Sequence, residues 1–156
     1  MLLDVAKSYA DLMTTVFSTP IAAKVWFASA AALLALVQVS TAARMWGRLK
    51  AVIPLSTPAA QRVHRWSGRL ALLCTVPVVF HCVFILGFQT TSLRVAIHSI
   101  VGSTLYGAFA AKILILRSHR YPAWVLPTAG GLVAGLLATL WLTSSFWYFT
   151  NVQFGF

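Results

Sequence analysis

The sequence predicts an all-α membrane protein: a bundle of four transmembrane helices preceded by an N-terminal interfacial helix. Three observations predict it. First, 60% of the 156 residues are apolar and only 9% are charged, and the mean hydropathy is +0.84, a balance that a soluble domain of this size cannot hide. Second, the apolar residues fall into four runs of roughly 20 residues, the length a helix needs to cross a bilayer. Third, 12 Lys and Arg stand against only Asp4 and Asp11, and nine of the 12 cluster between Arg44 and Arg69 or between Lys112 and Arg120. Basic groups bracketed by apolar runs are a topology signal, so the net charge of +10 is not the footprint of a nucleic-acid binder. Disordered chains and most soluble enzymes are excluded on the same grounds.

The elements follow in order along the chain. Residues 1–20 carry Asp4, Lys7 and Asp11, with Leu2, Leu3, Ala6, Tyr9, Ala10, Met13 and Phe17 at helical spacing, which gives one apolar face and an interfacial helix. The segment lacks the basic start and apolar core of a signal peptide. Residues 21–156 form the transmembrane domain. Thr19 as N-cap and Pro20 at the first helical position open span one, about 21–43. A basic link broken by Pro54 follows, and Thr57-Pro58 repeats the cap-plus-proline start of a helix whose embedded part, span two, is about 66–87. The polar link Gln89 to Ser92 leads into span three, about 95–116, and Tyr121-Pro122 ends the next turn. Span four, about 123–149, opens irregularly with Pro127, Gly130, Gly131 and Gly135. The Gly131-x-x-x-Gly135 spacing fits close helix packing.

The two basic links belong on the cytoplasmic side and both termini outside. Trp46, Trp66 and Trp124 then fall at the inner boundary and Trp26 and Trp147 at the outer one, as an aromatic belt requires, while Trp141 lies deeper without explanation. Cys74 and Cys82 are eight residues apart in one span, about 12 Å of helix, too far for a mutual disulfide. They read as packing residues. No Cys-x-x-Cys exists to attach a haem covalently.

Ionisable groups in hydrocarbon are costly and normally face a partner, so the histidines carry the functional argument. His81 precedes the link between spans two and three and His98 follows it, at similar depth on antiparallel helices. Two neutral imidazoles so placed suit axial ligation of a haem iron in the outer half. Gly102, one turn beyond His98, leaves room for a flat macrocycle beside Ser99 and Ser103, and Arg94 is placed to pair with propionates. The alternatives for His81 and His98 are mutual or backbone hydrogen bonding, or a metal or proton-relay role. His64 lies 17 residues before His81, about 25 Å along the helix, as a ligand or edge residue of a second haem. His119, its partner by depth, sits in the basic turn and reads as a solvated loop residue. Lys112 shares nearly the same face as His98 and reaches either an inner propionate, an acidic headgroup or, by snorkelling, the interface. Trp141, Phe146, Trp147, Tyr148 and Phe149 line a quinone or haem edge or anchor the interface.

His64-Arg65-Trp66-Ser67-Gly68, His81-Cys82 and His98-Ser99-Ile100-Val101-Gly102 resemble the histidine-bearing helices of ferric-reductase-like and ascorbate-reducible membrane b-type cytochromes. The longer order, adding Tyr106-Gly107-Ala108, Ala111-Lys112, Pro122-Ala123-Trp124 and Leu140-Trp141-Leu142-Thr143-Ser144, resembles a small family of four-span bacterial membrane proteins with no assigned function, over about 21–149. The cytochrome resemblance implies haem-bearing histidines on spans two and three. The expected function is therefore that of a haem b electron-transfer subunit with one haem and room for a second, at most part of an oxidoreductase, in the bacterial inner membrane. No flavin, nicotinamide or iron–sulfur signature is present, so the expected partners are lipid, quinone, and a larger redox complex or a second copy. The other reading is a non-redox accessory subunit that docks through Gly131 and Gly135. A transporter is disfavoured because the spans hold no Asp or Glu.

Overall fold

The computed structural model describes residues 2–118 and 120–151. Six α-helices follow one another: α1 (Leu2–Thr14), α2 (Pro20–Met45), α3 (Thr57–Phe80), α4 (Leu93–Ser118), α5 (Val125–Trp141) and α6 (Trp147–Asn151). Two π-helical segments interrupt this series. His81–Leu86 prolongs α3, and Leu142–Phe146 joins α5 to α6. The four continuous helical stretches, Pro20–Met45, Thr57–Leu86, Leu93–Ser118 and Val125–Asn151, are each long and apolar enough to cross a membrane. The chain is a multi-pass, all-helical membrane protein.

The helix starts follow local chemistry. Thr19, in extended conformation, accepts the Ala22 N–H at 3.0 Å, and Pro20 opens α2. At α3 the cap is Ser56 rather than Thr57: its hydroxyl accepts the Ala59 N–H at 3.4 Å, which moves Pro58 one position inward, where its missing N–H still costs nothing. The α2–α3 link turns at Gly47, with φ of +85°, and is held from within the bundle. Arg44 donates Nε to the Ile53 carbonyl at 3.0 Å and Nη2 to the Leu55 carbonyl.

The packing inverts that of a soluble protein. Most buried positions are small or polar, among them Ala23, Ala31, Thr41, Ala60, Ser67, Ala71 and Ser145, while large side chains such as Leu33, Leu73, Phe84, Ile100 and Leu114 point outward. Lipid solvates Leu as well as a protein interior does, so helices gain by close backbone approach and interhelical hydrogen bonds instead. Between α2 and α3 the packing is close at Gly68, where a Cβ would stand 3.1 Å from the Gln38 amide. Trp141, deep in span four, donates Nε1 to Ser29 Oγ at 3.0 Å, and Ser145 Oγ donates to the Val25 carbonyl at 3.3 Å. Both bonds tie the fourth span to α2. The exposed tryptophans are Trp26, Trp46, Trp66, Trp124 and Trp147, the five that the belt argument placed at the boundaries.

Neighbours pair as α2 with α3, α2 with α5, and α4 with α5. Little direct helix contact joins α3 to α4. Their main bridge is Tyr106, whose hydroxyl meets Thr75 Oγ1 at 2.9 Å and the Thr75 carbonyl at 3.2 Å. Between this bridge and the 87–92 link the two helices stand apart.

Candidate functional site

The gap between α3 and α4 is a cavity of about 320 Å³. Its walls are Val78, Val79 and Cys82 from the second span, His98, Ser99, Gly102 and Tyr106 from α4, and Leu140 and Trp141 from α5. The apolar majority with a few convergent polar groups is the composition of a cofactor or ligand pocket. Gly102 lines it, and a Cβ there would meet Leu140 at 3.6 Å. Toward the 87–92 link the wall continues through Gly87, Phe88 and Gln89. Gly87 has φ of +69°, and Ser99 clamps the link by donating to the Gln89 carbonyl at 2.8 Å while accepting the Gln89 N–H at 3.2 Å.

His98 stands on the cavity wall in a fixed orientation. Its Nδ1 lies 3.0 Å from Thr143 Oγ1, and the Thr143 hydroxyl gives its own proton to the Thr139 carbonyl at 2.7 Å. Thr143 therefore accepts, Nδ1 carries the proton, and the Nε2 lone pair is left for a ligand. A neighbouring group that fixes the tautomer in this way is the usual support of a metal-ligating histidine. Arg94 reinforces the same point of the fourth span: Nη1 donates to the Thr143 carbonyl at 2.5 Å, and the guanidinium lies 4.0 Å above the Trp147 ring. Both groups that sequence reasoning placed beside His98 are thus engaged there, Gly102 in the wall and Arg94 on the segment that orients the imidazole.

His81 is in a different state. It is 3% exposed, and neither ring nitrogen has a hydrogen-bond partner. It is not among the residues that line the cavity, although its sequence neighbour Cys82 is, and its ring packs 5.8 Å from Tyr9. Tyr9 projects from α1, stacks on Phe80 at 4.9 Å and donates to the Pro77 carbonyl at 3.3 Å. The α1 helix thus covers His81. Burial raises the Tyr9 phenol above its ordinary value, with Cys82 adding to the effect. Pro77 supplies no N–H to the α3 ladder, and four residues later the helix widens into its π segment at His81. The second π segment contains Thr143. Both irregular turns thus fall on the two histidines' supports, and π-bulges concentrate at functional sites.

Sequence reasoning missed Lys24 and Thr143. Lys24, half-buried one turn into α2, interacts electrostatically with both His81 and His98. Its signal was a charge inside a span, and the chain's only carboxylates, Asp4 and Asp11, are in α1. Thr143 carried no signal, because a threonine in an apolar helix ordinarily bonds its own carbonyls.

Toward the α2–α3 link, His64 Nδ1 lies 3.0 Å from Thr41 Oγ1 and 3.1 Å from the Gln38 carbonyl. The Gln38 amide donates to the His64 carbonyl and, at 2.9 Å, to Ser67 Oγ. Lys112 lies over Gly130 of α5, with Cε and Nζ 3.9 Å from where a Cβ would be, and its charge acts on His64. His119 lies outside the described residues. Among the described residues no group of three or more His, Cys, Asp or Glu could hold a free metal ion.

Fold and site together define an all-helical multi-pass membrane bundle with histidines at two depths along its second and third spans. The chain belongs to DUF6529, a family of unknown function, whose profile matches residues 5–156. No curated protein and no solved structure matches it.

Proposed function

We propose that this protein is a membrane b-type cytochrome, an electron-transfer subunit that holds haem b in its outer half between His81 and His98. One observation carries the reading. His81 is a buried imidazole with two unpartnered nitrogens, next in sequence to Cys82, which lines the same cavity as the tautomer-fixed imidazole of His98. Burying a polar group without a partner costs about 1–3 kcal/mol, and a ligand that takes a His81 nitrogen removes that cost.

Haem supplies the redox chemistry when bound, and the residues supply ligation, charge and a low-dielectric sheath. Thr143 keeps the His98 Nε2 lone pair available. Lys24 and Arg94 bring positive charge to a region without carboxylates, which suits the two propionates of haem b. Gly102 and Ser103 give flat access along α4, and Tyr9 shields His81 from water. Electrons come from quinol or a partner redox protein, since the chain has no flavin, nicotinamide or iron–sulfur signature. The setting is the bacterial inner membrane with both termini outside, in a larger redox complex or a homodimer. The basic links support that sidedness.

The visible spectrum of the purified chain is the test. Low-spin haem with two nitrogen ligands is expected, lost from this site in H81A and in H98A. Protein that shows no Soret band even after haem supplementation would defeat the reading, and the chain would then stand as a non-redox accessory subunit.

A further inference from the structure

A second pocket, of about 160 Å³, opens where the end of α2 meets the start of α3, and its walls are Met45, Gln61, His64 and Arg65. Gln61, His64 and Arg65 share one face of α3 by their spacing of three and four residues, and Met45 supplies the wall from α2. A space of this size and lining suits a small polar group, not a macrocycle.

The wall offers one fixed acceptor beside one cation. Thr41 gives its hydroxyl proton to the Val37 carbonyl at 2.6 Å, so Thr41 Oγ1 and the Gln38 carbonyl both accept from His64 Nδ1. Nδ1 therefore carries the proton, and Nε2 of the neutral imidazole is an acceptor. Arg65 is exposed, and no side-chain carboxylate is near it. Asp4 and Asp11 are both in α1, which packs through Tyr9 on Phe80 and His81, about 22 and 24 Å along the helix from Arg65. Neighbouring cations are engaged elsewhere. Arg44 holds the Ile53 and Leu55 carbonyls of the link, and Arg69 lies over the Trp66 ring at 5.2 Å.

We infer that this pocket binds the headgroup of an anionic glycerophospholipid, with Arg65 and the Gln61 amide on its phosphate and His64 Nε2 accepting a headgroup hydroxyl. A phosphodiester by itself has no proton to give Nε2, whereas a phosphoglycerol headgroup brings the charge and the hydroxyl together. The surroundings favour a lipid over a soluble anion. Trp46 and Trp66 are exposed and adjoin Met45 and Arg65 in sequence, which sets the pocket at the membrane boundary. Trp66, Leu70 and Leu73 then run away from the link as an exposed apolar strip, on which acyl chains can lie. Arg48, Lys50 and Arg62 add charge around the opening, and basic pockets between transmembrane helices are sites for acidic headgroups. This inference does not depend on haem at His81 and His98.

The experiment is native mass spectrometry of the full chain, released from detergent after mixing with phosphatidylglycerol, with phosphatidylmethanol, an anionic phosphodiester without a headgroup hydroxyl, or with phosphatidylcholine. Wild type is expected to retain one phosphatidylglycerol, more tightly than phosphatidylmethanol, and both more tightly than phosphatidylcholine. R65Q should weaken phosphatidylglycerol by about tenfold, the loss of a charged hydrogen bond, and R65K should hold it better than R65Q. R117Q removes the same charge from an exposed site on the other basic link and should weaken it by less than about twofold. H64F should keep the preference for anionic lipid and erase that for phosphatidylglycerol over phosphatidylmethanol. Variants are compared at unchanged helix content, and the ranking of the lipids on wild type decides without any substitution. The inference is overturned if wild type holds phosphatidylcholine as tightly as phosphatidylglycerol, if R65Q and R117Q weaken binding equally, or if H64F leaves the phosphatidylglycerol preference intact. Displacement of phosphatidylglycerol by excess inorganic phosphate would assign the pocket to a free anion and overturn it too.

Discussion

Replacing Thr143 with Val removes one atom of chemistry at nearly constant volume, and so isolates the bond that orients His98. The valine cannot accept from Nδ1 across the present 3.0 Å contact, nor donate to the Thr139 carbonyl at 2.7 Å. The main chain is unchanged, so the Arg94 bond to the Thr143 carbonyl and the Trp147 stacking persist. Intramembrane side-chain bonds average about 0.6 kcal/mol with a maximum near 1.7, so the apoprotein should lose on the order of 1 kcal/mol. Haem should lose more. Removing a group that orients a ligating histidine weakens metal binding by about 10–100-fold. The assay is haem titration of purified T143V at the Soret band, in a background with His64 replaced so that only the outer site reports. T143S should recover wild-type affinity. Unchanged affinity in T143V, or equal weakening in T143S, would refute the argument that the threonine oxygen selects the ligating nitrogen.

Three other expectations follow from single contacts. W141F forfeits the Nε1 bond to Ser29 and should lower thermal stability in detergent by about 0.6–1.7 kcal/mol, whereas W124F, at an exposed boundary position, should change it little. G68L drives a side chain into the Gln38 amide at 3.1 Å and should cost about 1–3 kcal/mol, while G107L, with no atom near its Cβ position, should be tolerated; equal effects would disprove the close α2–α3 approach. Single cysteines at the exposed positions Gln89 and Val52 should be labelled by a charged, membrane-impermeant reagent from opposite sides of intact cells, Gln89 from outside; labelling from the same side would overturn the span count.

The interior of this bundle explains why its function depends on few atoms. With Ala, Ser, Thr and Gly at the helix contacts, a polar side chain inside has few partners, and those on an adjacent helix are hydroxyls and backbone carbonyls. Trp141 with Ser29, Ser145 with Val25, Tyr106 with Thr75 and Gln38 with His64 all join different helices. Such bonds set rotation and depth, which dispersion between apolar faces leaves loosely specified.

The span limits were legible in the sequence because they are local: a run of apolar residues, Thr19-Pro20 at one start, Pro54 and Pro122 in links, basic residues between. Observed helices extend the expected spans by a few residues at several ends, and the one altered cap, Ser56 for Thr57, is a choice between adjacent hydroxyls that pattern cannot rank. The prominence of His81 and His98 was legible too, since ionisable side chains in hydrocarbon are rare enough to stand out singly. Which way they face was not. In a soluble helix the apolar stripe marks the inward face, but α2 and α4 are apolar around their whole circumference, and hydropathy therefore carries no record of what touches what. Only the assembled helices set Thr143 against His98 and Thr41 against His64, and closed α1 over His81. They also left α3 and α4 apart, because that separation comes from where α2 and α5 meet, far in sequence from the gap it creates.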